Sequence, residues 1–294
     1  MVIITNKSGR LGNRLFHFAN FIASSMAHGY RLINPCFDEY ASLFDATEMN
    51  LFGSYPISIR WTPSWFTDRL IARTFDTFSY IFPSRFYPIG TIVLHNIHQF
   101  DREGRDFNLN DPGFLSIASS QMVFVSGWRY RDQVNFSKYA DKIKTFFTPK
   151  EPLQQKISSR ISICREQGDV LIGIHIRRDD YRSFYKGAWY YSLEVYLQKM
   201  ISFKNLMEEQ GKKCVFLVCS SEPIESGYFK DMIVHYQRDI PVIDLYTLAG
   251  CDYLIGPPST FSLWASFYGA VPLMMLHTDD IPVELYRFAV CTSL

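Results

Sequence analysis

The chain has 294 residues, of which 47% are hydrophobic and 20% are charged. This length and composition predict a globular protein that forms two domains or one large α/β unit. The formal net charge of +1 excludes a global field that would recruit nucleic acid, so an anionic partner has to be bound by a local cluster of charges.

The first half of the chain opens on a strand, a glycine turn and a helix. "VIITN" (2–6) predicts the strand, "GRLGN" (9–13) predicts the turn, and apolar residues at three- and four-residue steps over 15–26 predict the helix. Further strands are predicted at 91–97 and 121–128, and helices at 137–147 and 151–167. Pro149 and Pro152 interrupt the pattern, and we therefore place a domain boundary near residue 150.

Residues 61–90 form an insertion with nine aromatic residues and several arginines. We predict a helical pair that packs on the core. An element on a membrane surface and a lid that faces the substrate remain open alternatives.

The second half alternates apolar runs with helical patterns. Strands are predicted at 170–176, 214–219, 241–245, 252–256 and 270–276, and helices at 189–210, near 225–236 and from 260. Because the apolar runs show no polar alternation, they favour a parallel sheet covered on both faces. Ligands of such sheets bind beyond the carboxyl ends of the strands.

The stretch "GIHIRRDDY" (173–181) places charged residues at such a strand end. Arg177 and Arg178 could bind an anion, because guanidinium groups bind phosphate with two hydrogen bonds, or they could pair with Asp179 and Asp180. In an extended chain, residues 175 and 177 share one face, and 178 and 180 largely share the other. One arginine can then bind a ligand while a carboxylate holds the second.

Two further segments join a strand to a helix. "GRLGN" offers backbone amides at a helix start but lacks the three-glycine dinucleotide fingerprint. "PPSTFSLWASF" (257–267) offers hydroxyl groups, and Ser259 is either a helix N-cap or a phosphate ligand.

Other site classes lack their patterns in this chain. No three candidate ligands stand at a recognised metal spacing, so we predict no metal and no cofactor. The six cysteines show no CxxC pair, and we interpret them as reduced thiols of a cytoplasmic protein. The first residues lack the apolar region of a signal peptide, and we expect no transmembrane segment.

Three segments together resemble the bacterial and animal α-1,2-fucosyltransferases, glycosyltransferase family 11. "GRLGNRLFHFA" (9–19) is similar to the family's G-R-L-G-N-Q pattern, with Arg14 in place of glutamine. "HIRRDDY" (175–181) matches H-x-R-R-G-D-Y, except that Asp179 stands where glycine is usual. "DLYTLAGCDYLIGPPSTFSLW" (244–264) matches the third conserved region of that family.

The resemblance implies an α/β fold of the GT-B type, with two Rossmann-like domains facing across a cleft. The N-terminal domain (1–150), with the insertion at about 61–90, would receive the acceptor, and the C-terminal domain (151–294) would bind GDP-fucose. The implied reaction is an inverting, metal-independent transfer of fucose to the 2-hydroxyl of a terminal galactose in surface glycan synthesis. The implied partners are these two substrates and no nucleic acid, while peripheral contact with a membrane stays open.

Carried over position by position, the resemblance suggests roles for individual residues. Arg177 would stabilise the departing diphosphate, a role for which a cation is suited. The remaining GDP-fucose site would consist of Gly12, Asn13, His175, Arg178, Asp244, Ser259, Thr260, Phe261 and Ser262. His175 and Asp244 would recognise the guanine end.

The general base and the function itself have alternatives. Asp180 is the predicted base; His17, transfer with weak base assistance, and a structural pairing of Asp180 with Arg178 are the other interpretations. A GDP-sugar transferase of another linkage, α-1,6- or O-fucosyltransferase-like, has a similar arginine loop. A non-catalytic nucleotide- or glycan-binding module is the alternative to which Asp179 points.

Overall fold

The computed structural model describes residues 1–49, 51–81, 86–225 and 227–293. The chain divides into two compact units, one of residues 1–150 together with Ser293 and one of residues 151–292. Each unit is built on its own sheet with helices around it.

The elements of the first unit alternate along the chain. Its strands are β1 (Val2–Ile4), β2 (Leu32–Ile33), β3 (Ile57–Ser58), β4 (Phe86–Ile89), β5 (Ile92–Asn96), β6 (Phe107–Asn108), β7 (Met122–Ser126) and β8 (Tyr130–Arg131). Its helices are α1 (Leu11–His28), α2 (Trp65–Ile81), α3 (His98–Glu103), α4 (Pro112–Ser120), α5 (Gln133–Lys138) and α6 (Ala140–Phe146), with 3₁₀ helices at Pro35–Leu43 and Asp45–Glu48.

The main sheet of the first unit has the order β3-β2-β1-β7-β5-β4. All its pairings are parallel except that of β4 with β5. Ile3, Ile33 and Phe124 meet in the buried core, and Ile71 and Phe75 of α2 pack against it. The Phe75 and Phe124 rings stack with centroids 3.8 Å apart.

The aromatic insertion is a helix followed by a strand, so the predicted helical pair is wrong. Residues 82–85 of the insertion lie outside the described residues. β4 forms a hairpin with β5 through Gly90, whose φ of +63° lies in the left-handed region that glycine adopts without strain. β4 lies at the edge of the sheet in the part of the chain that the structure describes, and an edge strand tolerates Pro88, which has no N–H to donate.

The elements of the second unit follow the same alternation. Its helices are α7 (Glu151–Arg165), α8 (Leu193–Glu208), α9 (Pro241–Leu248) and α10 (Thr260–Gly269), with 3₁₀ helices at Asp180–Arg182, Phe184–Gly187 and Leu285–Arg287. Its strands are β9 (Val170–Ile176), β10 (Cys214–Ser220), β11 (Val234–Gln237), β12 (Tyr253–Gly256) and β13 (Leu273–Met275). The sheet is parallel, with the order β11-β10-β9-β12-β13.

Two elements of the second unit differ from prediction. The run "PVIDL" (241–245) forms the start of α9 and not a strand, because Pro241 suits the first helical turn and a short apolar run fits a buried helix equally well. A helix was predicted near 225–236, but residues 227–236 contain turns and the beginning of β11.

All six cysteines are free thiols. Among the helices in the described part of the chain, none combines the length and the apolar character needed to cross a bilayer.

Candidate functional site

The strand order of the second sheet changes side at β9, which is therefore the topological switch point of that sheet. The chain runs from β9 outward to β10 and β11, and then returns to β12 and β13 on the other side of β9. In open parallel sheets, ligands bind beyond the carboxyl ends of the strands at this reversal. "RRDDY" leaves β9 there and "PPST" leaves β12, so the two motifs lie at the same sheet edge.

His175 lies near the end of β9 and points away from α8. Ile174 and Ile176 belong to the core cluster that includes α8, so the alternation of the strand turns His175 to the other face. There its Nδ1 lies 2.6 Å from Oγ of Ser262, and its ring packs against Phe261 with centroids 5.0 Å apart. The motifs that were predicted to bind together are therefore in direct contact.

Two buried histidines have strongly lowered pKa values. Burial, reinforced by the charge of Arg177, lowers the pKa of His175 to about 3. Burial and the charge of Arg131 also lower the pKa of His17 to about 3, although its contact with the Trp128 carbonyl at 3.2 Å acts in the opposite direction. Both rings are therefore neutral at pH 7.

The Arg177 side chain is held from several directions. Its Nε and Nη2 donate to the two carboxylate oxygens of Asp180 at 3.0 and 2.6 Å, and its Nη1 donates to Oγ of Ser259 at 3.2 Å. The guanidinium carbon lies 4.7 Å from the ring centre of Tyr181, whose hydroxyl donates to the Pro258 carbonyl at 2.6 Å. The guanidinium thus has a fixed position beside the start of α10.

Arg178 has a different set of partners. Asp180, which the sequence allowed as the partner of Arg178, forms an ion pair with Arg177, three residues before it. Arg178 donates to the Tyr190 hydroxyl at 2.7 Å and lies 3.8 Å from a carboxylate oxygen of Glu222. These contacts tie the loop after β9 to the end of β10.

Asp179 stands where the H-x-R-R-G-D-Y pattern has glycine, and its backbone conformation explains why aspartate is tolerated there. Its φ of −48° and ψ of −76° lie in the right-handed helical region, so no glycine is needed there. Its backbone N–H is directed at Oγ of Ser221 at 3.5 Å.

Ser259 is both a helix cap and a site residue. Its extended backbone precedes α10, and its Oγ accepts a hydrogen bond from the Phe261 backbone N–H at 3.2 Å. The same Oγ accepts from Arg177. Thr260 and Ser262 also belong to the first turn of α10, whose backbone N–H groups are satisfied by groups outside the helix. The cap and ligand interpretations of Ser259 are therefore compatible.

Asp244 lies on α9, at the end of the sheet where His175 is found. Its carboxylate accepts from Nε2 of Gln237 at 2.9 Å and from the backbone N–H of Asp239 at 3.0 Å. Burial raises the pKa of Asp244, although these hydrogen bonds oppose the shift. Cys219, directed at the Asp244 carbonyl, is the register partner of His175 between β10 and β9.

Gly12 and Asn13 belong to the first unit and lie in the first turn of α1. Gly9 before them has a φ of +61°, and a Cβ there would lie 2.1 Å from the Asn13 amide nitrogen. The glycine turn therefore allows the Asn13 side chain to fold back over it.

Several residues of the site received no role from the sequence. Tyr181, Tyr190 and Glu222 position the two arginines, and Glu222 could have been recognised as a polar residue that follows a strand end. In the part of the chain that the structure describes, no three His, Cys, Asp or Glu side chains are grouped to hold a metal ion.

The first unit contains a buried polar cluster that was also missed. Ser126, the last residue of β7, donates to Asp76 of α2, and its Oγ lies 2.9 Å from Nε2 of His98. Burial raises the pKa of Asp76 and lowers that of His98. The position of Ser126 at a strand end was the available signal.

No family model matches the chain, and no curated protein matches it in sequence. In fold, the chain is similar to FUT1 from Arabidopsis thaliana, solved as a mutant in complex with GDP, with a TM-score of 0.62 and 14% identity over 100% of this chain and 74% of that chain. It is also similar to fucosyltransferase NodZ from Bradyrhizobium, with a TM-score of 0.54 and 14% identity over 96% of each chain. A NodZ α-1,6-fucosyltransferase soaked with GDP-fucose gives a TM-score of 0.52 and 14% identity over 98% of this chain and 96% of that chain. This likeness confirms the predicted fold class, an α/β fold of the GT-B type with two Rossmann-like domains.

Proposed function

We propose that the protein is a glycosyltransferase that moves fucose from GDP-fucose to a saccharide acceptor. The observation that carries the proposal is the guanidinium of Arg177, fixed by Asp180 and Ser259 at the switch point of the second sheet. A cation beside a helix N-terminus suits a diphosphate. The donor is inferred from the GDP bound to FUT1 and the GDP-fucose soaked into NodZ, two proteins of the same fold.

The donor site would be formed mainly by the second unit. Arg177, Ser259 and the first-turn amides of α10 would bind the phosphates, with Thr260, Phe261 and Ser262 supplying that turn. His175 and Asp244 would recognise guanine, whose adjacent N–H donors suit a carboxylate. Arg178 would hold the loop. Gly12 and Asn13, which belong to the first unit, stay predictions from the resemblance.

The reaction would be an inverting displacement. The acceptor hydroxyl oxygen bonds to the anomeric carbon of fucose while the bond from that carbon to the β-phosphate oxygen breaks. The electron pair leaves with GDP, and Arg177 stabilises the charge that develops, a role that requires no divalent ion. The hydroxyl proton passes to a base.

Asp180 stays our proposed base, although its contacts also support a positioning role. Both of its carboxylate oxygens accept hydrogen bonds from Arg177. A carboxylate so engaged is less available for a proton than a free one. The pH dependence of a variant separates the two roles and is described in the Discussion.

The acceptor is proposed to be a terminal galactose of a surface glycan, linked at its 2-hydroxyl. This linkage rests on the resemblance of "HIRRDDY" and the "STFSLW" segment to the α-1,2-fucosyltransferases. An α-1,6 linkage is the second candidate, because NodZ is an α-1,6-fucosyltransferase of the same fold.

The test is incubation of the protein with GDP-fucose and lactose in the presence of EDTA, with product linkage determined by NMR. We expect fucosyl-lactose with an α-1,2 bond. Loss of product on chelation would contradict the metal-independent mechanism. An acceptor with a free 6-hydroxyl on N-acetylglucosamine tests the α-1,6 alternative, and GDP binding without turnover of any acceptor would favour a binding module.

A further inference from the structure

Four aromatic residues of the loop between β9 and α8 form a continuous cluster, which we call the aromatic platform: Tyr181, Phe184, Tyr185 and Trp189. The Tyr181 and Phe184 rings stack with centroids 5.3 Å apart and an angle of 20°. Tyr185 lies 4.8 Å from Phe184 and 4.9 Å from Trp189, again between ring centroids.

The inner end of the platform lies against the phosphate-binding arginine of the proposed donor site. Tyr181 is buried and contacts Arg177 at 4.7 Å. The outer end is open to solvent, since Phe184 is 45% exposed and Tyr185 is 67% exposed. The platform therefore extends outward from Arg177 to the surface.

The outer rings are held on an unusual backbone. Tyr185 has φ 46° and ψ 39°, and Lys186 has φ 58° and ψ 29°, so two successive residues with side chains adopt the left-handed region. This conformation is costly for residues other than glycine and persists where the surroundings or a function require it. Burial does not account for it, because the Tyr185 side chain is mostly exposed.

We propose that the aromatic platform binds the acceptor, with a pyranose ring of a neutral oligosaccharide stacked on Tyr185 and Phe184. This rests on the proposed function, and it departs from the resemblance, which implied that the N-terminal domain receives the acceptor. The accepting hydroxyl has to come within about 3.5 Å of the anomeric carbon, which is bonded to the phosphate that Arg177 would bind. An acceptor that runs from this point along Tyr181 would place its next sugar on the exposed rings of Phe184 and Tyr185.

The chemistry of the platform fits a sugar. The C–H face of a pyranose is apolar and packs on an aromatic face, while a tyrosine hydroxyl can bond with the hydroxyls at the ring edge. Guanine could also stack on such rings, and the experiment separates the two ligands.

The test compares Tyr185→Ala and Phe184→Ala with wild type, and uses Tyr286→Ala as the matched control, since Tyr286 is a 74% exposed tyrosine of the same unit. Initial rates are measured with methyl galactoside, with lactose and with a longer galactose-terminated oligosaccharide. We expect KM for the oligosaccharide to rise about tenfold in the platform variants, from the loss of stacking. KM for methyl galactoside, KM for GDP-fucose and kcat stay unchanged, and the Tyr286→Ala control behaves as wild type.

Binding is measured in parallel by calorimetric titration of the oligosaccharide into the GDP-saturated protein. Loss of this affinity in Tyr185→Ala supports the platform even if no transfer is observed, in which case the proposed function alone fails. Unchanged KM and affinity in both variants would overturn the platform and leave the transferase intact. Weakened GDP binding in Tyr185→Ala would also overturn it, because the rings would then hold the base.

Discussion

Arg177 and Asp180 form a two-point ion pair, with Nε–Oδ1 and Nη2–Oδ2 distances of 3.0 and 2.6 Å. The pair spans residues i and i+3 at the entrance to a 3₁₀ helix. Because the guanidinium is planar, the hydrogen bonds of Nε and Nη2 to Asp180 also fix the direction of Nη1, which donates to Ser259. A group aligned before the ligand arrives loses less entropy on binding, so the pair preorganises the proposed phosphate site.

Replacement of Arg177 by alanine tests the electrostatic role of the guanidinium. In Arg177→Ala we expect kcat to fall about a hundred- to a thousandfold, the usual cost of removing a group that stabilises developing charge. Circular dichroism should show an intact fold. Arg182→Ala is the control, since Arg182 lies on the same loop with a 63% exposed side chain. Near-normal turnover of Arg177→Ala would contradict the mechanism.

Asp180→Asn separates a catalytic base from a positioning residue. A base that is lost lowers kcat by roughly a hundred- to ten-thousandfold and removes the acidic limb of the kcat–pH profile. A positioning residue that is lost raises the Kd for GDP while the profile keeps its shape. We expect the outcome of a lost base, namely a lower kcat without the acidic limb. Titration with GDP and measurement of kcat from pH 5 to 8 distinguish the two roles. An unchanged pH profile with weaker GDP binding would assign Asp180 to positioning.

Two N-cap serines of the second unit provide a matched pair. Ser259 caps α10 and Ser192 caps α8, each accepting a backbone N–H. Either serine-to-alanine change should lower the free energy of unfolding by about 1 kcal/mol. Only Ser259→Ala should also weaken GDP binding, because Ser259 contacts Arg177. Equal GDP affinity in the two variants would remove Ser259 from the site.

The left-handed residues of the second unit predict two stabilising changes. Lys186 has φ 58° and Ala270, after α10, has φ 54°. Glycine removes the steric cost of this conformation, so Lys186→Gly and Ala270→Gly should each raise the free energy of unfolding by about 1 kcal/mol, seen as a higher Tm. Ala270→Gly should leave activity unchanged. A lower Tm in both variants would contradict the backbone argument.

The buried histidines predict a loss of stability in mild acid. His17 and His175 have lowered pKa values of about 3 in the folded protein, against 6.5 for an unperturbed histidine. Below pH 6.5 the unfolded chain binds protons that the folded chain does not, so stability falls as pH falls from 6.5 toward 3. Each ring contributes a slope of up to about 1.4 kcal/mol per pH unit.

Urea unfolding of wild type and His17→Phe between pH 7.5 and 4.5 measures this contribution. The variant should show the shallower slope, because one of the two rings that titrate only on unfolding has been removed. The same slope in both proteins would show that His17 is protonated in the folded state.

The local sequence pattern was sufficient to predict several strands and the positions of two site motifs. Largely apolar runs predicted β1, β9, β10 and β12, because a strand covered on both faces needs apolar residues at most positions. "RRDDY" and "PPST" were predicted at the carboxyl ends of strands, where parallel sheets bind their ligands. The structure brings these two strand ends together. The sequence alone therefore predicted which types of residue form the candidate site.

Tertiary contacts decided the remaining features. The apolar run "PVIDL" is compatible with a strand or with a buried helix, and its packing between α7 and α10 favours the helix that Pro241 can begin. The partner of Asp180 depended on a turn of a few residues, and the aromatic platform depended on left-handed backbone at Tyr185 and Lys186. Periodicity reports which side of an element is buried, whereas pairing and ring stacking depend on distances between segments that no local pattern contains.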